Sequence, residues 1–208
     1  MSLPTIFDIG PYSKDFLGGK GFGLWQMQQA GINVPPAIII PTDSCVAYMK
    51  DPKGTLEQVK QFLPEIQAFF IDRFGYMPLL SVRSGAKDSL PGMMDTILNV
   101  GLDSVTYAFW DEKLGAACAS NCAKRLEEMY SETVLGLPKG TFGVVPSAEK
   151  QLINCIEAVF NSWNSERAKI YRKLNKISDD GGTAVTIQAM VFGNFNEKSG
   201  SGVLFSRD

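Results

Sequence analysis

The sequence predicts an α+β fold: a small mixed α/β lobe first, a helical subdomain second, and a terminal β-hairpin last. Three observations carry this. Short apolar runs at Ala37-Ile38-Ile39-Ile40 and Leu79-Leu80-Ser81-Val82, and Thr183 to Phe192 with its β-branched residues, read as strands. From about Ser104 to Asn175 the apolar residues recur instead at helical spacing. With 45% hydrophobic residues among 208, the chain can bury a core without disulfides or metals. The expected divisions are residues 1–102, 103–179 and 180–208.

Taken in order, Gly18-Gly19-Lys20-Gly21-Phe22-Gly23 precedes a short helical pattern, Leu24 to Ala30, which Gly31 stops. Val34-Pro35-Pro36 leads into the first strand, and Thr42 is expected to cap a helix reaching about Met49. A second helix is expected from Thr55 to Arg73, with Val59, Phe62, Ile66, Phe69 and Phe70 on its inner face. The Leu79–Val82 strand follows. Leu114, Cys118, Cys122, Leu126 and Met129 mark one helical stripe, and Leu152, Ile156, Phe160, Trp163, Ile170 and Leu174 mark another. Gly136 to Pro146 must be the loop between them. Gly181-Gly182 opens the last long strand, and a glycine-containing connection, Gly193 to Gly202, returns into Val203-Leu204-Phe205 as the hairpin's second arm.

Composition narrows the functional classes. A formal charge of -2 argues against a nucleic-acid partner, which usually meets a basic face. The apolar residues never run unbroken for the ~18 needed to span a membrane, and the amino-terminal end lacks a charged region followed by an apolar one. A cytoplasmic location is the expectation. The complete absence of histidine excludes Ser-His-Asp and Cys-His catalysis and the usual zinc sites. Cys45, Cys118, Cys122 and Cys155 form no CxxC pair, and the spacing of Cys118 and Cys122 reads as core.

The most informative segment is Leu80 to Leu98, where a strand delivers Arg83 into a loop of small residues. A planar guanidinium can hold two phosphate oxygens at once, and backbone N–H groups freed by glycine can add to it. The plainer reading of Arg83 is a solvated surface arginine. Lys20 lies in the glycine-rich stretch before a helix, a setting that suits an anion or a mere turn. The pattern is neither a Walker A loop nor a GxGxxG fingerprint. In the Ser89 to Thr96 loop, Met93 and Met94 can line a cleft or plug the core. Asp95 alone would hold Mg²⁺ poorly, so no metal ligand is assigned here. The last strand, carrying Gln188, Met190 and Val191, can be a core strand or the apolar slot that an adenine ring needs.

These motifs, in this order from Gly18 to Phe205, resemble the amino-terminal nucleotide-binding domain of the pyruvate, phosphate dikinase and phosphoenolpyruvate synthase family. Leu90-Pro-Gly-Met-Met-Asp-Thr96 is closer to the phosphate dikinases. The resemblance implies an ATP-grasp-type fold: its first lobe, a helical subdomain and the start of the second lobe. It implies that Lys20 and Arg83 act on the phosphates of ATP, with Arg83 stabilising charge as a phosphoryl group transfers. It also implies that Met93, Met94, Asp95 and Thr96 line the nucleotide cleft, and that Gln188, Met190 and Val191 lie against adenine. Val159 to Trp163 and Arg167 to Arg172 match the family too, with helix packing as their expected role. The family passes a pyrophosphoryl group from MgATP to a histidine on a second domain, which carries it to a pyruvate-binding domain. This sequence holds neither histidine nor pyruvate domain, and the acidic Mg²⁺ ligands are expected beyond Asp208. The segment between Tyr130 and Gln151 is shorter than the family's. The expected protein is therefore an amino-terminal piece of a dikinase, inactive alone, with a homodimer as the expected assembly. A stand-alone, non-catalytic nucleotide-binding or interaction module is the alternative.

Overall fold

The computed structural model describes residues 2–88, 90, 92, 94–193 and 195–203. Among these, strands β1 (Ala37–Ile40), β2 (Leu80–Ala86), β3 (Thr96–Val100) and β4 (Thr183–Ala189) form one antiparallel sheet. Its order is β1-β4-β2-β3. Every residue of β1 and β4 is buried, because both faces of the sheet are covered. Side chains alternate between the two faces. Ala37, Ile39 and Ala184 pack with Leu17, Ile6 and Val34 under helix α1 (Lys14–Gln29). Ile38, Ile40, Leu80, Val82, Val185 and Ile187 enter the larger core on the other side.

That larger core is closed by helices. These are α2 (Thr42–Lys50), α3 (Pro52–Gln61), α4 (Leu63–Phe74), α5 (Tyr107–Leu114), α6 (Ala116–Thr133), α7 (Ala148–Ser162) and α8 (Glu166–Asn175). The result is an α+β protein whose small antiparallel sheet is sandwiched between α1 and the remaining helices. Among the described residues no helix is long and apolar enough to cross a membrane.

Several elements differ from the sequence expectation for identifiable reasons. The first helix begins at Lys14, well before Leu24, because Ser13 caps it: its Oγ accepts the Phe16 N–H at 3.2 Å. Thr42 is the first residue of α2 and not its cap. Its hydroxyl donates to the Asp15 carbonyl at 2.6 Å and ties α2 to α1. The single helix expected from Thr55 to Arg73 is two helices, since Pro64 belongs in a first turn and cannot donate an interior hydrogen bond. Gly115, at φ 79°, separates Leu114 from the stripe that continues with Cys122 and Leu126. The stripe through Leu152, Ile156, Phe160 and Trp163 is buried, but Ile170 and Leu174 are 57% and 77% exposed. Helix α8 turns Ala168 and Arg172 inward in their place.

The strand expected to open a second lobe, β4, is hydrogen-bonded on both sides within the one sheet. Of its expected hairpin partner, Val203 is exposed and outside any strand. Leu204 and Phe205 lie outside the described residues.

Candidate functional site

The sheet sets the site's geometry through its register. Arg83 on β2 pairs with Thr96 on β3 and with Thr186 on β4, while Ser81 pairs with Gln188. Two positions further along β2, Gly85 pairs with Ala184, which lies under α1. Opposed residues of an antiparallel pair share a face. Arg83, Thr96 and Gln188 therefore stand on the α1 side of the sheet. Strand β2 runs on to Ala86, so Arg83 projects from within the strand and not from its end. It is half-buried, and its Nη1 lies 3.5 Å from Gln188 Oε1, the outer limit of a hydrogen bond. Gln188 is itself oriented, its Nε2 donating to the Pro35 carbonyl at 3.0 Å.

Lys20 reaches the same place through a close approach of two backbones. Gly18 leaves the helical region, at φ 68° and ψ 167°, and α1 kinks there. A Cβ on Gly18 would stand 1.6 Å from the Gly85 carbonyl oxygen, so only glycine lets α1 press onto β2. What these glycines approach is the strand's own backbone. The contact lays Lys20 along β2, where its Nζ donates to the Ser84 carbonyl at 2.5 Å. Although Lys20 remains solvent-exposed along its length, partial desolvation of the ammonium lowers its pKa, and the Arg83 guanidinium lowers it further. Two cations thus lie near enough for one to disfavour the charge of the other.

Beside them opens a cleft of about 680 Å³, bounded by the start of α1, the end of β2 and the segment leading to β3. Lys14, Lys20 and Lys87 line it with Ser84, Met94 and Thr96. Sequence reasoning missed Lys14 and Lys87. Lys87 follows Arg83 closely in the same segment, which was the available signal. Lys14 could have been found only by recognising Ser13 as a helix cap. At the rim Lys87 Nζ pairs with Asp15 Oδ1 at 2.6 Å.

The residues after the cleft segment divide between two sides. Met94 and Thr96 face the cleft. Asp95, between them, turns its carboxylate to Arg167 of α8 and lines a separate hollow with Asn154, Asn161 and Ser162. Burial raises the Asp95 pKa, and Arg167 pulls it back in part. Met93 lies outside the described residues. Met190 follows the end of β4, where its N–H donates to the Leu79 carbonyl at 2.8 Å and its Sδ takes the Asn99 N–H at 3.1 Å. With Val191, which is 70% exposed, it lines another hollow of about 500 Å³ beside β3 and α6. The structure therefore brings Lys20, Met94 and Thr96 to the cleft, with Arg83 and Gln188 on the same sheet face as Thr96 but not among the residues lining it, and sets Asp95, Met190 and Val191 apart.

The cysteines belong to the packing. Burial pushes the Cys45 thiol up to about 11 and raises that of Cys155 further. Neither is poised as a nucleophile at neutral pH.

Residues 52–208 match the family model described as pyruvate phosphate dikinase, AMP/ATP-binding domain. The chloroplastic pyruvate, phosphate dikinase of Flaveria trinervia is 35% identical over 243 residues, covering 94% of this chain and 26% of that protein. Pyruvate, phosphate dikinase 1 of Arabidopsis thaliana is 37% identical over 244 residues, with 94% and 25% covered. The Clostridium symbiosum pyruvate, phosphate dikinase is 34% identical over 245 residues, with 94% and 28% covered. The chain spans about a quarter of the length of these curated relatives. Each aligned stretch is longer than the 208 residues of the chain, so the relatives hold residues within the matched region that it lacks. The chain belongs to the family of the AMP/ATP-binding domain of pyruvate phosphate dikinase.

Proposed function

We propose that the chain is the ATP-binding part of a pyruvate, phosphate dikinase-like phosphotransferase, built as an ATP-grasp-type domain. The observation that carries this reading is the meeting of Lys20 and Arg83 on one face of β2, beside a cleft that Lys14 and Lys87 also line. Two cations that disfavour each other's charge are an arrangement that a triphosphate would relieve. Arg83 offers a planar fork to two phosphate oxygens, and Gln188 steadies that fork. Lys20 supplies a compact charge whose lowered pKa an arriving anion would reverse. During transfer both would stabilise charge on the moving phosphoryl group. Thr96 and Met94 would contact the phosphate end. Adenine would lie against Met190 and Val191, in the hollow beside β3 that Cys122 and Phe192 also line, with Gln188 reaching it from the neighbouring Arg83 face.

Among the described residues lining the cleft, Asp88 is the one carboxylate. That set does not by itself make a Mg²⁺ site, so no step is assigned to the metal here. In this reading the metal ligands, the acceptor histidine and the pyruvate site belong to the parts of the dikinases that this chain does not span. A lobe of residues 1–102 with a helical subdomain at 103–179 remains the proposed division.

Equilibrium binding of MgATP to the wild-type chain and to Lys20→Met tests the reading. Loss of a charge-assisted phosphate contact should weaken binding by about 10- to 100-fold. The melting temperature at pH 7 should hold or rise. A base whose pKa is lowered by folding costs stability wherever it is charged, and that cost fades only as pH climbs past the lowered value. Equal affinity in the variant would overturn the assignment.

A further inference from the structure

Asp95 stands between two residues of the cleft, yet its side chain leaves it. Its carboxylate, 22% exposed, pairs with the Arg167 guanidinium. Its carbonyl accepts the Ser84 N–H at 3.2 Å, next to the opposed pair of Arg83 and Thr96. Arg167 lies in the first turn of α8, and α8 is firmly held. Ala168 is fully buried, and Ser165 Oγ accepts its N–H at 3.3 Å while donating to the Ser162 carbonyl at 2.9 Å. Arg172, one turn on, is 1% exposed and donates to Asp179 and to the Trp163 carbonyl. Its guanidinium also lies 4.1 Å from the Trp163 ring centre. The ion pair therefore runs from a fixed helix to the end of the segment that rims the cleft.

That segment leads into β3, an edge strand that among the described residues pairs with β2 alone. Leu90 and Met94 pack into the larger core, Lys87 holds Asp15 at an exposed surface, and Asp95 supplies a polar tie to α8. The Arg167 end of the pair is 52% exposed, and a fully exposed ion pair contributes little. The Asp95 end is partly withdrawn from water, so removing the arginine leaves that carboxylate without its partner.

We propose that Arg167 is a positioning residue of the nucleotide cleft: by holding Asp95 it fixes the pose of Met94 and Thr96, and so sets affinity for a nucleotide triphosphate. The inference rests on the nucleotide reading above. It gives a use to the Arg167 to Arg172 segment beyond helix packing.

The test compares wild type with Arg167→Met, Arg167→Lys, Asp95→Asn and the Asp95→Asn/Arg167→Met pair. Amide hydrogen exchange is followed without ligand, and MgATP affinity by calorimetry. Arg167→Met should speed exchange at residues 94–96 by about tenfold while β1 and β4 stay unchanged, and should raise the MgATP Kd by about tenfold. Arg167→Lys should recover part of both effects, and the double variant should be no worse than its worse single. Unchanged exchange at 94–96, or exchange raised equally across the sheet, would overturn the positioning role. Unchanged affinity despite faster exchange would overturn its link to the nucleotide. If the wild-type chain fails to bind MgATP, the nucleotide reading and the link to it fail together, and the exchange arm still decides whether Arg167 holds the strand.

Discussion

At the scale of single residues, the site depends on what is missing at Gly18. Any Cβ there would collide with the Gly85 carbonyl, and the residue also sits at φ 68°. Gly18→Ala should therefore cost about 3 kcal/mol or more in chemical denaturation, combining backbone strain with a forced separation of α1 from β2. Gly23 is the control. It lies in the regular part of the same helix, and a Cβ there would meet nothing within 4 Å. Gly23→Ala should stabilise the protein by about 0.5–1 kcal/mol. Equal effects of the two substitutions would mean that the close approach of helix and strand does not govern stability. Asp95 follows the opposite pH rule to Lys20. Its pKa is raised by folding, so the native state gains stability as pH falls through that raised value toward the ordinary carboxylate value.

At the scale of elements, α8 is an amphipathic helix whose inner face centres on an arginine. Arg172→Met keeps the aliphatic stem but leaves the Trp163 carbonyl without its donor and removes the ring contact. It should cost about 2–4 kcal/mol in denaturant unfolding; a change under about 0.5 kcal/mol would show that α8 is held by its other contacts. This helix also shows where sequence patterning runs out. The apolar spacing of α7 continues through Ile170 and Leu174, but the chain turns between Trp163 and Glu166, so the same spacing faces water. Strands β1, β2 and β4 were legible because short, mostly apolar runs suit a sheet covered on both faces. Strand β3 was not: it is short, follows a Pro-Gly loop, and includes Asn99 at φ 62°. Without β3, alternation could not be applied to Met94, Asp95 and Thr96, and the outward turn of Asp95 stayed hidden. Lys20 and Arg83 stood out because each is a lone cation among glycines or apolar residues. Lys14 and Lys87 look like any solvated lysine until the cleft is seen.

At the scale of the whole molecule, the last strand among the described residues is a central strand in space. Strand β4 separates β1 from β2, so β1 has no regular partner until residues 183–189 are in place. A chain ending at residue 180 should therefore lack a cooperative unfolding transition and the near-ultraviolet circular dichroism of packed aromatic rings. A sharp two-state transition in that fragment would contradict the architecture. Strand β4 also carries Gln188 to the Arg83 face, so closing the sheet and assembling the site are the same event.

If Lys20 and Arg83 hold phosphates together, calorimetric titration of MgATP into the wild-type chain and into Arg83→Ala, with melting curves of both, will show it. Saturable binding is expected in the wild type and a loss of at least about 100-fold in the variant, with melting temperatures within a few degrees. Undiminished binding by Arg83→Ala, or a variant that loses its fold along with its ligand, would contradict that role.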